Sequence, residues 1–178
     1  MWSCNALRRA VAVIWVIAGL GLSACGFEPL YARPDGNAVT PSDEMAAIRI
    51  LPLQDRVGQQ MHNFLRDRLN PRGQPQAPRY ELQVTLTELR EDLGIRKDET
   101  ATRGNLTMSA NFVLLDARSK NALLSGLSRS TNSFNILQDQ FATLFSENDA
   151  RERALRELSD DIRLRLGIYF SRARAGAS

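Results

Sequence analysis

Between residues 80 and 114 apolar side chains recur at every second position. Tyr80, Leu82, Val84 and Leu86 alternate with Glu81, Gln83, Thr85 and Thr87; after a polar connection, Leu106, Met108, Ala110, Phe112 and Leu114 resume the pattern. A two-residue period sends one kind of side chain to each face of a strand, so both runs read as strands of a sheet with one covered and one wet face. Asp116-Ala117-Arg118-Ser119-Lys120-Asn121 reads as a hairpin turn. ALLSGLSRSTNSF, 122–134, reads as a further strand whose serines and threonines keep one face wet. Short connections make these three strands antiparallel neighbours.

The covered face needs a cover, and two stretches supply it. Residues 55–70 place Val57, Met61, Phe64, Leu65 and Leu69 on one helical face before NPRGQP breaks the pattern. A final helix is expected to start at Ser146, with Asp149 three residues on as in a capping box. Its stripe is Leu155, Leu158, Ile162, Leu166 and Tyr169 or Phe170, with Arg151, Arg153, Asp160, Asp161, Arg163 and Arg165 off it. MAAIRILPL, 45–53, is a short strand with Ile48 and Ile50 alternating around Arg49; its place in the sheet stays open. The order β-α-β-β-β-α predicts an α+β fold: a two-layer sandwich of about four mostly antiparallel strands covered by two helices. The domain spans 45–170, between a linker at 25–44 with Pro29, Pro34, Gly36 and Pro41 and a disordered tail at 171–178.

The chain opens differently. Arg8 and Arg9 precede AVAVIWVIAGLGLSA, residues 10–24, which carries no charge. A spanning helix wants roughly 20 apolar residues, so this shorter run with a basic start and a small-residue end reads as a signal peptide, residues 1–24, removed on maturation. An uncleaved membrane anchor is the alternative reading. The end is Leu22-Ser23-Ala24-Cys25, which resembles the lipobox of bacterial lipoproteins. On that reading the Cys25 thiol takes diacylglycerol as a thioether and an N-acyl chain follows cleavage. Several chains on one residue anchor stably where one does not. Cys4 leaves with the signal, so the mature chain has no free thiol for a disulfide or for cysteine catalysis.

Charge and chemistry point away from catalysis and from nucleic acid. Removing Arg8 and Arg9 from 23 basic residues leaves 21 against 20 acidic ones, too even a balance to favour a polyanion such as nucleic acid. Lys97 and Lys120 are the only lysines; the arginines suit bidentate pairing with carboxylates or phosphates. His62, the single histidine, falls beside the apolar face of the first predicted helix and reads as structural. No metal-ligand spacing, no nucleophile elbow and no glycine-rich phosphate loop is present. Glu91-Asp92 and Asp160-Asp161 are adjacent pairs that point apart. The expectation is a binding protein, not an enzyme, with no metal or cofactor.

CGFEPLY, Cys25–Tyr31, directly after the signal resembles the start of mature LptE proteins, the lipopolysaccharide-assembly lipoproteins, and the element order agrees with that family over 25–170. The resemblance implies a lipoprotein of the outer membrane, facing the periplasm, that plugs the LptD β-barrel, helps assemble it and supports lipopolysaccharide transport to the outer leaflet. Gly26 after the lipidated cysteine fits outer-membrane sorting. If lipopolysaccharide phosphates are touched, bidentate cations at a strand connection suit them: Arg96, Lys97 and Arg103 first, Arg118 and Lys120 in the next turn second. The competing reading is a free-standing periplasmic lipoprotein that binds peptidoglycan or lipid or assists an ABC transporter.

Overall fold

The computed structural model describes residues 40–95 and 101–176. Its elements are α1 (Pro41–Ala46), β1 (Ile48–Ile50), α2 (Asp55–Leu69), β2 (Tyr80–Ile95), β3 (Ala101–Asp116), β4 (Ala122–Asn135) and α3 (Gln140–Ala175). The strands form one sheet in the order β1-β2-β3-β4. β1 runs parallel to β2, and the other neighbours are antiparallel. This is the α+β sandwich the alternation predicts. It also places the first strand: α2 carries the chain back across the sheet, so β1 ends up on the edge beside β2 with Ile48 opposite Tyr80.

The core lies on one face of the sheet. Leu82, Val84, Leu106, Met108, Phe112 and Leu114 are buried against Met61, Leu65 and Leu69 of α2 and Leu155, Leu158, Ile162, Leu166 and Phe170 of α3. Each such side chain contributes about 1.5–3 kcal/mol by leaving water. Among the described residues of these strands the opposite face is exposed or half-buried, except for Glu81. Two glycines make room for aromatic rings across the ladder. Phe112 pairs with Gly126 and Phe134 with Gly104, and a Cβ on either glycine would fall 2.8 Å or less from a ring carbon. The rings lie over backbone that has no side chain to push them away.

Four boundaries differ from the sequence reading, each for a local reason. Pro41–Ala46, read as the end of a linker and the start of a strand, is a helix. Pro41 sits at its first position, where a missing N–H costs nothing, and Thr40 and Asp43 cap it reciprocally. β2 and β3 do not stop at Thr87 and start at Leu106; their ladder continues to Ile95 opposite Ala101. Past Leu86 the described side chains of β2 are exposed on both faces, so no alternation marks that length. α3 begins at Gln140, not Ser146: Asp139 caps it by accepting from Phe141 N–H at 2.9 Å. Ser146 Oγ instead accepts the N–H of Asn135 at 3.1 Å. The helix also continues to Ala175, through most of the tail read as disordered. At 36 residues it is about 54 Å long.

The turn at 116–121 forms as expected. Asp116 Oδ1 accepts from the N–H groups of Arg118 and Ser119 at 2.9 and 2.7 Å, and Lys120 takes a φ of +58°. Asn70, at the end of α2, is buried; its Nδ2 donates to Ala46 O and Ile48 O, both at 3.1 Å, and so fixes α2 against α1 and β1.

Candidate partner-binding surface

The bare face of the sheet is a hydrogen-bonding surface. Odd-numbered positions of β2, β3 and β4 present Thr85, Thr87, Asn105, Thr107, Asn111, Thr131 and Ser133. Some of these groups bond to each other across strands: Thr107 to Thr131 at 3.0 Å, and Ser133 Oγ to Asn105 Oδ1 at 2.8 Å. Leu89, Leu93 and Leu127 are exposed among them.

The far halves of β2 and β3 reach beyond the apolar core and are tied to α3 by ions. Arg151 donates to both oxygens of Glu88, at 2.8 and 2.7 Å, and to Glu147 at 2.8 Å. These carboxylates, Glu88 first, hold its guanidinium even more firmly protonated than usual. Arg90 reaches Asp92 at 2.9 Å and Glu147 at 2.8 Å, with its guanidinium 5.1 Å from the centre of the Phe134 ring. Arg90, on β2, thus packs over the ring that fills the space above Gly104.

Beside this network the first turns of α3 expose large apolar side chains. Phe141 is 73% and Phe145 74% exposed, with Leu137 and Leu144 also in water. The sequence reading missed them because it started the helix after them. The available signal was Asp139 followed by QFATLF with no glycine or proline, a cap before a helical run.

The residues singled out from sequence do not form one cluster. Cys25, Arg96 and Lys97 lie outside the described residues. Arg103 is exposed near the start of β3, opposite Leu93 and Asn135. Arg118 and Lys120 lie past the other end of that strand, roughly 40 Å away at 3.3 Å per residue. Arg118 is exposed in the turn. Lys120 is committed within the fold: its Nζ is 2.6 Å from Glu81 Oε2, and Arg49 holds the other oxygen of the same carboxylate. Lys120, then Arg49, keep Glu81 ionised below the ordinary carboxylate range. His62 is half-buried on α2, with its Nε2 3.3 Å from Gln74 Nε2. Among the described residues no three His, Cys, Asp or Glu side chains gather as metal ligands would.

The family model for lipopolysaccharide assembly, LptE, matches residues 40–166. The chain belongs to the LptE family. That match covers every element from α1 into α3, so the assignment rests on the folded domain and not on Cys25–Tyr31. No curated protein is recognisably similar in sequence. Among solved structures, a protein from Caulobacter crescentus CB15 assigned as a lipoprotein is similar with a TM-score of 0.62 and 25% identity, over 74% of this chain and 95% of that one. The rare lipoprotein B of Shewanella oneidensis has a TM-score of 0.52 at 11% identity, over 73% of this chain and 96% of that one. Lipoprotein B of Nitrosomonas europaea has 0.53 at 14%, over 70% and 82%. At such identities the last two speak for the fold alone. The family match makes this chain a lipopolysaccharide-assembly protein of the LptE family.

Proposed function

We propose that this LptE member is an outer-membrane lipoprotein, held at the periplasmic face by diacylglycerol and an N-acyl chain on Cys25, that plugs an LptD-like β-barrel and helps assemble it. It works by binding, without catalysis, and so supports the passage of lipopolysaccharide to the outer leaflet. The observation that carries this reading, beside the family, is the bare sheet face. A barrel lumen is lined by polar side chains, and a plug must answer them with donors and acceptors or leave buried groups unpaired at about 1–3 kcal/mol each. A strand face of Thr, Ser and Asn offers such groups along three strands. Leu89, Leu93 and Leu127 add apolar contact between them.

For lipopolysaccharide phosphates the proposed contact is Arg96 and Lys97 with Arg103, which lies near the start of β3. Arg118 would have to serve a separate contact. The test is co-purification. The acylated chain should leave outer membranes in a 1:1 complex with a large β-barrel, and its mass should show a start at Cys25 carrying acyl chains. An unmodified Cys25, or a chain free of any barrel, would favour the free-standing lipoprotein instead.

A further inference from the structure

Resting on the barrel-partner reading, we propose that the free edge of β4 is a docking edge. There an extended, acidic segment of the barrel partner adds as a fifth strand, with an apolar side chain in the groove between β4 and the last turns of α3.

The backbone pattern identifies the edge. Ile136 N–H donates to Thr102 O at 3.1 Å, and the β3–β4 register is constant from Arg103↔Asn135 to Leu114↔Leu124. In an antiparallel pair, residues facing the neighbour alternate with residues facing away. Even-numbered β4 residues therefore bond to β3, and odd-numbered ones turn both N–H and C=O outward. Asn135 obeys this, since its N–H finds Ser146 Oγ at 3.1 Å, and Arg153 Nη2 donates to Ser133 O at 3.3 Å. α3 thus closes one end of the edge. Ser125, Leu127, Arg129 and Thr131 keep outward backbone groups with no hydrogen-bond partner among the described residues.

Free edges are usually guarded by charge, proline or cover. The other free edge, β2 beyond Leu82, carries Glu88, Arg90, Glu91 and Asp92 and is clipped to α3. β4 carries one charge, Arg129, and no acid or proline. Beside it lies a groove of ≈ 560 Å3 with Phe112, Leu124, Ile168 and Tyr169 as its apolar floor and Arg165 and Arg172 at its rim. Arg165 Nε is 2.8 Å from Asp161, whereas Arg172 has no carboxylate partner among the described residues. An open backbone edge beside an apolar groove supplies the two halves of strand addition: main-chain bonds for affinity, and a pocket for alternate side chains. The cations facing the incoming segment, Arg129 and Arg172, call for acid on it. The wall strands of a closed barrel are already paired on both sides, so the added strand comes from a stretch of the partner outside its wall.

The experiment uses the co-purified complex of the acylated chain with its barrel, and single-amide hydrogen exchange. The amides of Ser125, Leu127, Arg129 and Thr131 should slow at least tenfold in the complex relative to the free chain, while those of Ser128 and Ser130 change little. Leu127→Pro with Arg129→Pro removes two outward donors without touching the ladder, and should cut recovery of the complex at least tenfold while the free chain melts within a few degrees of wild type. If that variant does not fold, Arg129→Glu with Arg172→Glu, both exposed, should give the same loss. Equal exchange in the free and complexed states overturns the proposal. So does protection of the same amides in the free chain at high concentration, which would assign the edge to a second copy, or by lipopolysaccharide vesicles alone, which would assign the groove to an amphiphile. A wild-type chain that recovers no barrel removes the parent reading and this one together. A proline variant that recovers barrel as well as wild type removes only this one.

Discussion

Gly104→Ala tests whether the far half of the hairpin is held by a ring seated on glycine. The added Cβ would lie 2.7 Å from Phe134 Cε1 and nearer still to Cζ. Carbon atoms prefer 3.5–4.0 Å, so the ring must retreat by about 1 Å. It has little room: Phe134 is buried, and Arg90, bound to Asp92 and Glu147, packs on it. Overpacking of this kind costs about 1–3 kcal/mol. Replacing a strand glycine returns about 0.5–1 kcal/mol of backbone entropy, which leaves a net loss of up to about 2.5 kcal/mol, toward the upper end because the ring cannot retreat freely. Phe134→Ala alone should cost about 3–5 kcal/mol by opening a cavity. The clash needs both groups, so in the double variant the alanine at 104 should return its about 0.5–1 kcal/mol without a clash, a coupling of about 1–3 kcal/mol. Urea unfolding followed by circular dichroism reads all four corners of the cycle. Gly104→Ala that is neutral or stabilising, or effects that simply add, would refute the argument. Gly126→Ala serves as the comparison: its Cβ would approach the Phe112 ring less closely than that of Gly104 approaches Phe134, so its cost should be the smaller of the two.

Arg151→Ala should cost about 1–2 kcal/mol, because it leaves Glu88, 31% exposed, without its bidentate partner and Glu147, 13% exposed, with Arg90 alone; at roughly 2–4 °C per kcal/mol the melting temperature should fall by at least about 2 °C, and Arg151→Lys should restore only part of it because the bidentate grip on Glu88 is lost. Acid should loosen the fold in a defined window. Asp160 is held below its ordinary pKa by Arg68, Glu81 by Lys120 and Arg49, and Asp116 by the turn N–H groups of Ser119 and Arg118. A carboxylate depressed in the folded state contributes stability that is complete above its unfolded pKa of about 4 and is lost as pH falls through the folded value. Glu81→Gln should flatten the rise of stability with pH below about 4, measured as urea midpoints, and leave the neutral-to-alkaline range level. Arg96→Glu with Lys97→Glu should weaken binding to lipopolysaccharide vesicles without moving the melting temperature; unchanged binding would take both residues out of the proposed contact.

The two-layer fold was legible because burial and period coincide where the core is. Leu82 and Val84 of β2 and Leu106 to Leu114 of β3 alternate in sequence because one face of each strand is packed, and Met61, Leu65 and Leu69 recur at helical spacing for the same reason. Legibility ended where the core ends. The outer half of β2 is wet on both faces, so its residues obey the ladder but not the alternation, and Leu89 and Leu93 look like stray apolar residues in a connection. The start of α3 was hidden by the same physics: its first turns are exposed, and Phe141 and Phe145 carry no stripe. The pairing of Lys120 with Glu81 was not legible because the two are distant in sequence and only the strand register brings them together. Asn70 and Arg151, which tie elements together, gave no signal, since polar residues with remote partners have no period.

That division has a mechanical consequence. Where α2, α3 and the sheet share a hydrophobic core, order follows from burial that no partner needs to supply. Beyond Leu86 in β2 and before Leu106 in β3 the hairpin is held by its own ladder, by one ring over Gly104, and by arginines whose carboxylate partners include Glu147 on a helix with exposed first turns. Exposed backbone hydrogen bonds and little buried area define the segments that open first, so amides of β2 from Glu88 onward and of β3 before Leu106 should exchange orders of magnitude faster than those of Leu82 or Phe112. Those same segments carry Arg103, Leu89 and Leu93, and adjoin Phe141 and Phe145. If a barrel lumen encloses them, it takes over from the missing core: apolar side chains gain cover, ladder bonds lose access to water, and stability propagates outward from the packed half. Protection confined to the packed half in the complex as well as in the free chain would mean that the partner binds elsewhere, and the exposed aromatics of α3 would then need a different occupant.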